Sequence, residues 1–348
     1  MKKLFSFVVI FCFSASFLFA SKVVTDQLGR EVVIPDKVER VVVLQHQSVD
    51  VIIQLNATGK IVGVLKGLEG RLGKGIYYIA PELKGLPTPG DLNSLNVEEV
   101  LLLKPDVVIT TNYIPSEFIK KLEELKIPVI GMSFRKTEET ELEKLNPIIE
   151  NEVFAYDNGL YEGVELLGVV LDRQKEAKEL VTYIKDIQAF LKGKTAKIED
   201  KSKVTIYMAN PKFATYGRGK YLNVMFLRAG ALNVAAKSLV GFGQSSLEEL
   251  LSWNPDVILV QDRYPDVVDE LKNNKALAGL KAIKNNKIIL MPEYAKAWGY
   301  PTPEAMSIGE LWLGEQLYPE NFKDIDMEKI VSDYYKKFYR VDYTQTLK

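Results

Sequence analysis

The sequence predicts an α/β protein of two Rossmann-like lobes with mainly parallel sheets, joined by one long linking helix. Three observations carry that expectation. Residues 97–107 read VEEVLLLKPDV and residues 247–257 read LEELLSWNPDV, so Glu-Glu, an apolar run and Pro-Asp-Val return 150 residues later. Such a spacing exceeds the roughly 50-residue periods of solenoids and fits two similarly built lobes with a groove between them. Short β-branched runs alternate with helically spaced segments, the pattern of parallel strands covered on both faces. Finally, 157–192 contains no proline and holds apolar residues at mostly helical spacing, from Leu160 and Val164 to Ile187 and Leu191.

The elements follow in order. A strand at 41–44 leads into a helix at 48–55, then a strand at 60–65 and a glycine-rich loop at 67–75. Helix 96–103, strand 106–110, helix 116–125 and strand 128–131 complete the first lobe. Pro105 and Pro255 stand where each copy of the repeat leaves its helix and enters its strand, as helix-stop chemistry requires. The linking helix over 157–192 would be on the order of 50 Å long; the alternative is a pair of helices broken near Leu171-Asp172-Arg173. A polar, lysine-rich connector at 193–203 precedes the second lobe, with strands at 204–208, 257–260 and 287–291, helices near 222–229 and 247–253, and a helical region from 303 onward. The expected division is a leader at 1–20, an N-terminal lobe at 21–156, the link at 157–192 and a C-terminal lobe at 193–348.

The leader reads as a cleaved secretory signal. Lys2 and Lys3 precede an apolar run at 4–19 that is shorter than the roughly 20 residues of a spanning helix, and Ala20 suits cleavage before Ser21. Cys12, the only cysteine, lies inside it, and no lipoprotein-type cysteine marks the cleavage site. The product is therefore expected in soluble form in an oxidising compartment, without disulfides. Composition is that of a globular protein, 47% hydrophobic and 26% charged, with 45 basic against 46 acidic residues. That balance argues against nucleic acid or a membrane surface as partner.

Ligands of open parallel sheets bind outside the carboxyl ends of the strands. The loops expected there contain His46, Arg71, Tyr113, Arg135, Arg218, Lys220, Arg263, Tyr294, Trp298 and Tyr300. Basic and aromatic residues dominate although the chain is slightly acidic. Convergence of Arg71, Arg135, Arg218, Lys220 and Arg263 on one mouth would suit an anionic ligand through charge-assisted hydrogen bonds. His46 is the only histidine; a lone histidine serves packing as readily as ligation, and its count excludes a bare metal site built from several histidines. Tyr294, Trp298 and Tyr300 would stack on an organic chelator or pack in the core.

TDQLGREVVIP, ERVVVL, KIVGV, NVEEVLLLKPDVVI, SLEELLSWNPDVILV and KNNKIILMPEY, in this order and spacing, make the chain resemble the periplasmic solute-binding proteins of ABC importers, in the helix-linked class that serves ferric siderophores, haem, cobalamin and other metal chelates. The resemblance implies no intrinsic cofactor, with metal, Fe3+ first among candidates, arriving inside a small-molecule chelate. It implies the periplasm as the compartment, and a monomer whose partners are an inner-membrane permease and its ATPase. Arg218 and Arg263 fall where catecholate-binding members carry charge-neutralising arginines, and Tyr294 matches a tyrosine that can ligate iron, with His46 a second candidate metal ligand. Asn112-Tyr113 and Phe242 depart from that pattern. Glu98 and Glu248 match the acidic pair that meets permease arginines. The expected cargo is thus an iron chelate of siderophore type; the alternatives are a nickel chelate, haem, cobalamin or a molybdate-type oxyanion. A periplasmic enzyme is the remaining class, but no Gly-x-Ser-x-Gly elbow or Walker loop occurs and one histidine leaves little for a catalytic triad.

Overall fold

The computed structural model describes residues 20–296 and 299–343. The leader expected at 1–20 lies almost wholly outside the described residues, and Trp298 lies outside them too. Two short strands that sequence patterning did not mark, β1 (Ser21–Thr25) and β2 (Glu31–Pro35), form an antiparallel hairpin. The strands β3 (Val41–Val43), β4 (Ile61–Val64), β5 (Val107–Thr111) and β6 (Val129–Met132) form the first parallel sheet, in the order β4-β3-β5-β6. Every residue of β3, β5 and β6 is buried, which is why their sequences are continuously apolar or hydroxylic instead of alternating.

The second sheet is likewise parallel. Of β7 (Val204–Ala209), β8 (Ala214–Tyr216), β9 (Ala231–Asn233), β10 (Phe242–Gln244), β11 (Val257–Val260) and β12 (Ile288–Leu290), four run in the order β12-β11-β7-β9, while β8 and β10 pair antiparallel beside it. The fold class is therefore the expected one.

The sequence repeat has a physical content in both lobes. Asn96 and Ser246 cap the helices Val97–Leu102 and Leu247–Trp253, each accepting from the backbone N–H of the glutamate three residues on, at 3.1 Å. Each chain then leaves its helix through a left-handed residue, Lys104 at φ 45° and Asn254 at φ 44°. The aspartate of each Pro-Asp pair makes equivalent bonds in the two lobes. Asp106 accepts from the backbone N–H groups of Glu39 and Arg40 at 2.8 Å, and Asp256 accepts from the N–H and hydroxyl of Thr205 at 3.0 and 2.6 Å. Thus the motif pins the start of one strand to the chain entering its neighbour.

The helical link stands, but its course differs from a single rod over 157–192. Glu152–Leu171 runs 20 residues, about 30 Å, and stops at Asp172, whose φ of 56° is left-handed. Gln174–Thr195 then folds back antiparallel. Tyr161 bonds Gln188 across the pair, and Lys185 lies 4.5 Å from the Tyr161 ring centroid. An aspartate tolerates the left-handed turn that the reversal needs, and apolar spacing continues on both sides of it, so periodicity alone does not reveal the break. Among the described residues, no helix is long and apolar enough to cross a membrane.

One hydrophobic cluster runs through both lobes, from Val41 and Ile109 through Leu160 to Met208, Leu259 and Tyr334. Within it lies a buried polar knot. Asp50 and Gln54, on the helix His46–Gln54, meet Lys296 and Glu304 of the opposite lobe and Tyr334 and Tyr339 of the C-terminal helical segment. Lys296 Nζ lies 2.9 Å from Glu304 and 4.0 Å from Asp50. Gln54 donates to Asp50 and Glu304 at 2.9 and 3.0 Å, Tyr339 donates to Asp50 at 2.8 Å, and Tyr334 donates to Gln54 at 2.6 Å. Burial and the nearby Glu304 push the Asp50 carboxyl well above its usual range. The Glu304 carboxyl is held below its usual value against the pull of burial, chiefly by Lys296.

Removing one member of a buried ion pair typically costs about 3–5 kcal/mol because the remaining charge is stranded. Lys296→Met should therefore lower unfolding stability by about that amount, measured as a fall in the urea midpoint at unchanged slope. An unaltered midpoint would mean that the knot does not hold the lobes together.

Candidate functional site

The strand-end loops of both lobes meet around a cavity of about 230 Å3. His46 begins the helix that follows β3, and Arg71 lies on the short helix Leu68–Leu72 that follows β4. From the other lobe come Tyr216 at the end of β8, Lys220 at the start of the helix Tyr221–Arg228, Arg263 after β11 and Tyr300 after β12. Gln47, Leu145, Asn146, Phe242 and Gly299 complete the lining. Three cations face this space, and among the described residues no carboxylate lines it.

Each cation is positioned differently. Arg71 is partly exposed and, among the described residues, has no carboxylate within ion-pair distance. Arg263 is oriented by its Nε donating to Gln261 at 2.6 Å, with its guanidinium 5.1 Å from the Tyr264 ring centroid. Lys220 is only 3% exposed, donates to the Leu145 carbonyl at 2.5 Å and lies 5.1 Å from the Tyr300 ring centroid. Burial, with Arg135 adding like-charge repulsion, brings the Lys220 ammonium down to about 7. His46 is held well below its ordinary value by burial and by Arg71, Arg263 and Lys296, so it is neutral at physiological pH. The walls thus offer hydrogen-bond donors and positive potential, the requirements of a small anion.

Several expected site residues stand elsewhere. Arg218 is exposed and is not among the lining residues; its backbone forms a bridge with Val240. Arg135 is buried behind the cavity, where its guanidinium donates to Tyr300 and to backbone carbonyls of the 141–144 segment. Tyr113 is also behind the lining; burial raises its phenol, opposed by the nearby Arg71 and Arg135. Tyr294 lies in a separate groove of about 630 Å3 with Met327 and Tyr343, packing edge-on against Tyr343 at 5.9 Å. His46 and Tyr294 therefore do not share one site. Among the described residues, no group of three or more His, Cys, Asp or Glu could hold a metal ion.

Sequence reasoning missed Leu145 and Asn146, which come from the irregular segment after β6, and Gln47 and Tyr216, which lie near the expected His46 and Arg218 in the chain. Asn146 reaches across to the opposite lobe, accepting from the Phe242 N–H at 3.4 Å. Glu98 and Glu248 are both exposed, at equivalent places in the two helices of the repeat.

These features define a two-lobed ligand receptor, and the chain belongs to the periplasmic binding protein family, whose model matches residues 41–295. It is a substrate-binding protein of an ABC transporter and not an enzyme. It is 49% identical over 338 residues to the molybdate-binding protein MolA of Haemophilus influenzae, covering 96% of each chain. The solved structure of that organism's MolA bound to molybdate matches with a TM-score of 0.90 at 50% identity, covering 93% of this chain and 99% of the other. Helicobacter pylori CeuE in its nickel–histidine complex shares the fold at a TM-score of 0.73 and 18% identity, over 93% of this chain and 97% of its own.

The position of Lys220 should make the binding of any anion in this cavity pH-dependent. A bound dianion favours its charged form, so affinity should be level below about pH 7 and fall as pH rises above it, where binding must take up a proton. Calorimetry across that range in two buffers of different ionisation enthalpy checks this. Flat affinity without proton uptake would place Lys220 outside the binding equilibrium.

Proposed function

We propose that this receptor captures molybdate, as the free tetrahedral dianion, in the interlobe cavity and delivers it to an ABC permease. The observation that carries the reading is the convergence of Arg71, Lys220 and Arg263 on a small cavity with no carboxylate among its described lining residues. Similarity along nearly the whole chain to a molybdate-binding protein supports it. The iron chelate expected from sequence is displaced on physical grounds. A space of about 230 Å3 falls below the roughly 300–1,000 Å3 typical of pockets for organic ligands, and the tyrosine expected to ligate iron lies in another groove. The metal is then cargo, brought within its own oxygen shell and needing charge neutralisation instead of protein ligands.

Each arginine of the lining should contribute through charge-assisted bonds. Arg71→Ala and Arg263→Ala should each weaken molybdate binding by about 1–3 kcal/mol, while Arg218→Ala leaves it unchanged. Phosphate, which carries a proton at neutral pH and finds no carboxylate among the described lining residues to accept it, should bind less tightly than molybdate. Titration calorimetry checks all of these; full molybdate affinity in the Arg71/Arg263 double variant would refute the site.

Delivery falls to Glu98 and Glu248, one on the exposed helix of each copy of the repeat. Such rim charges chiefly govern association and partner choice. Replacing both with lysine should abolish uptake in cells while molybdate affinity in vitro is unchanged, and each single change should give a partial defect. Uptake at the wild-type rate by the double variant would leave the repeat with only its capping and strand-pinning role.

A further inference from the structure

Arg135 is 2% exposed and is absent from the cavity lining, yet its side chain bonds one lining residue, Tyr300, and the backbone of the 141–144 segment that leads directly into two others, Leu145 and Asn146. One terminal nitrogen donates to the Tyr300 hydroxyl at 2.8 Å. The other donates to the carbonyls of Lys144, Glu141 and Leu142 at 2.5, 3.1 and 3.2 Å. Among the described residues no carboxylate pairs with it within ion-pair distance. Its place is dictated by the linking helix: a side-chain carbon added at Gly159 would stand 2.0 Å from the Arg135 Cα, so only glycine there admits the Arg135 backbone.

We infer that Arg135 is a positioning residue of the anion site, fixing the Tyr300 hydroxyl as a donor toward the cavity and holding the Leu145–Asn146 wall in place. The inference rests on the oxyanion reading above. A guanidinium has donors and no acceptor, so in their mutual bond the Tyr300 oxygen must accept, and its own proton is directed elsewhere. Among the described residues the hydroxyl donates to the Leu145 carbonyl across a long 3.5 Å, and that carbonyl already receives Lys220 at 2.5 Å. A fully deprotonated oxyanion presents only acceptors, and the Tyr300 proton has its better partner there. Arg135 thus converts a hydroxyl that could present either a proton or a lone pair into an obligate donor.

The same guanidinium acts on Lys220 through charge. Arg135 and Tyr300 face Lys220 from one side. Tyr156 and Glu152 of the linking helix bond the adjacent Gly219, and His46, Arg71 and Arg263 lie across the cavity. Of these, Arg135 supplies the like-charge repulsion that opposes protonation of Lys220.

The test is molybdate titration of the wild-type protein, Arg135→Met, Arg135→Lys and Tyr300→Phe, singly and combined, from about pH 6 to pH 9. Arg135→Met should weaken binding about tenfold at the acid end and move the pH above which affinity falls to a higher value, since Lys220 loses its repelling neighbour. Arg135→Lys should weaken binding while leaving that pH near its wild-type position, because the charge remains and the fork is lost. In the Tyr300→Phe background either change should cost markedly less. Full additivity with Tyr300→Phe, or an unmoved pH break in Arg135→Met, overturns the inference. Should Arg135→Met fail to fold, Arg135→Lys carries the test through its additivity with Tyr300→Phe. A wild-type protein that binds no molybdate overturns the cargo reading and this inference with it; retained binding with the contrary mutant pattern overturns this inference alone.

Discussion

The site depends on a lysine buried between two carboxylates. Lys296, from the loop after β12, lies between Glu304 and Asp50 inside the seam where the lobes meet. Three ionisable groups in a dry interior tolerate each other only in fixed geometry, since any separation strands a charge. Asp50 lies one turn beyond His46 on the same helix, and Lys296 lies four residues before Tyr300, so the knot that joins the lobes also sets two walls of the cavity. Arg340, donating to the carbonyls of Ile53 and Gln54, adds a strap from the C-terminal segment to the end of that helix. The receptor is consequently built with its cleft formed, and a 20-residue link braced by an antiparallel partner offers little freedom to bend.

A preformed cleft must solve an electrostatic problem without ligand. Clustering cations in a partly buried space is unfavourable, and the structure relieves it in three ways. His46 stays neutral, Lys220 gives up its proton near neutrality, and the Arg263 guanidinium leans on the Gln261 amide oxygen and the Tyr264 ring. Placing the acidic groups outside the lining preserves positive potential where the cargo would sit. On the proposed reading, an anion would neutralise the positive charge that the lining gathers.

The two-lobed plan, the first parallel sheet and three strands of the second were legible because buried parallel strands write themselves as apolar runs, and because the repeat 97–107 and 247–257 records one capped helix and one pinned strand twice; the hairpin β1–β2 and the three-residue strands β8, β9 and β10 are too short to show a pattern. The reversal at Asp172 was legible only as the alternative of a break near 171–173, since a single left-handed residue interrupts no apolar periodicity and one rod was the first expectation. At the site, strand-end placement identified His46, Arg71, Arg263 and Tyr300, which the cavity does gather. The same logic did not separate Arg218 from Lys220: Gly219, at φ 80°, turns the chain between them, and that turn decides which cation faces inward. Tyr294 was misleading for a similar reason. It lies within a tight turn after β12, and only the packing of the C-terminal segment, with Met327, Val331 and Tyr343, shows that it lines a groove apart from the cleft.

The most direct test of the account is anomalous X-ray diffraction at the molybdenum edge from crystals of the molybdate-loaded protein, compared with the free form. The account predicts one strong peak in the interlobe cavity, within hydrogen-bonding reach of Arg71 and Arg263, with the two lobes in the same relative orientation in both forms. A peak in the groove beside Tyr294, or a loaded form reached only by a wide rotation of the lobes that separates Lys296 from Asp50, would contradict it.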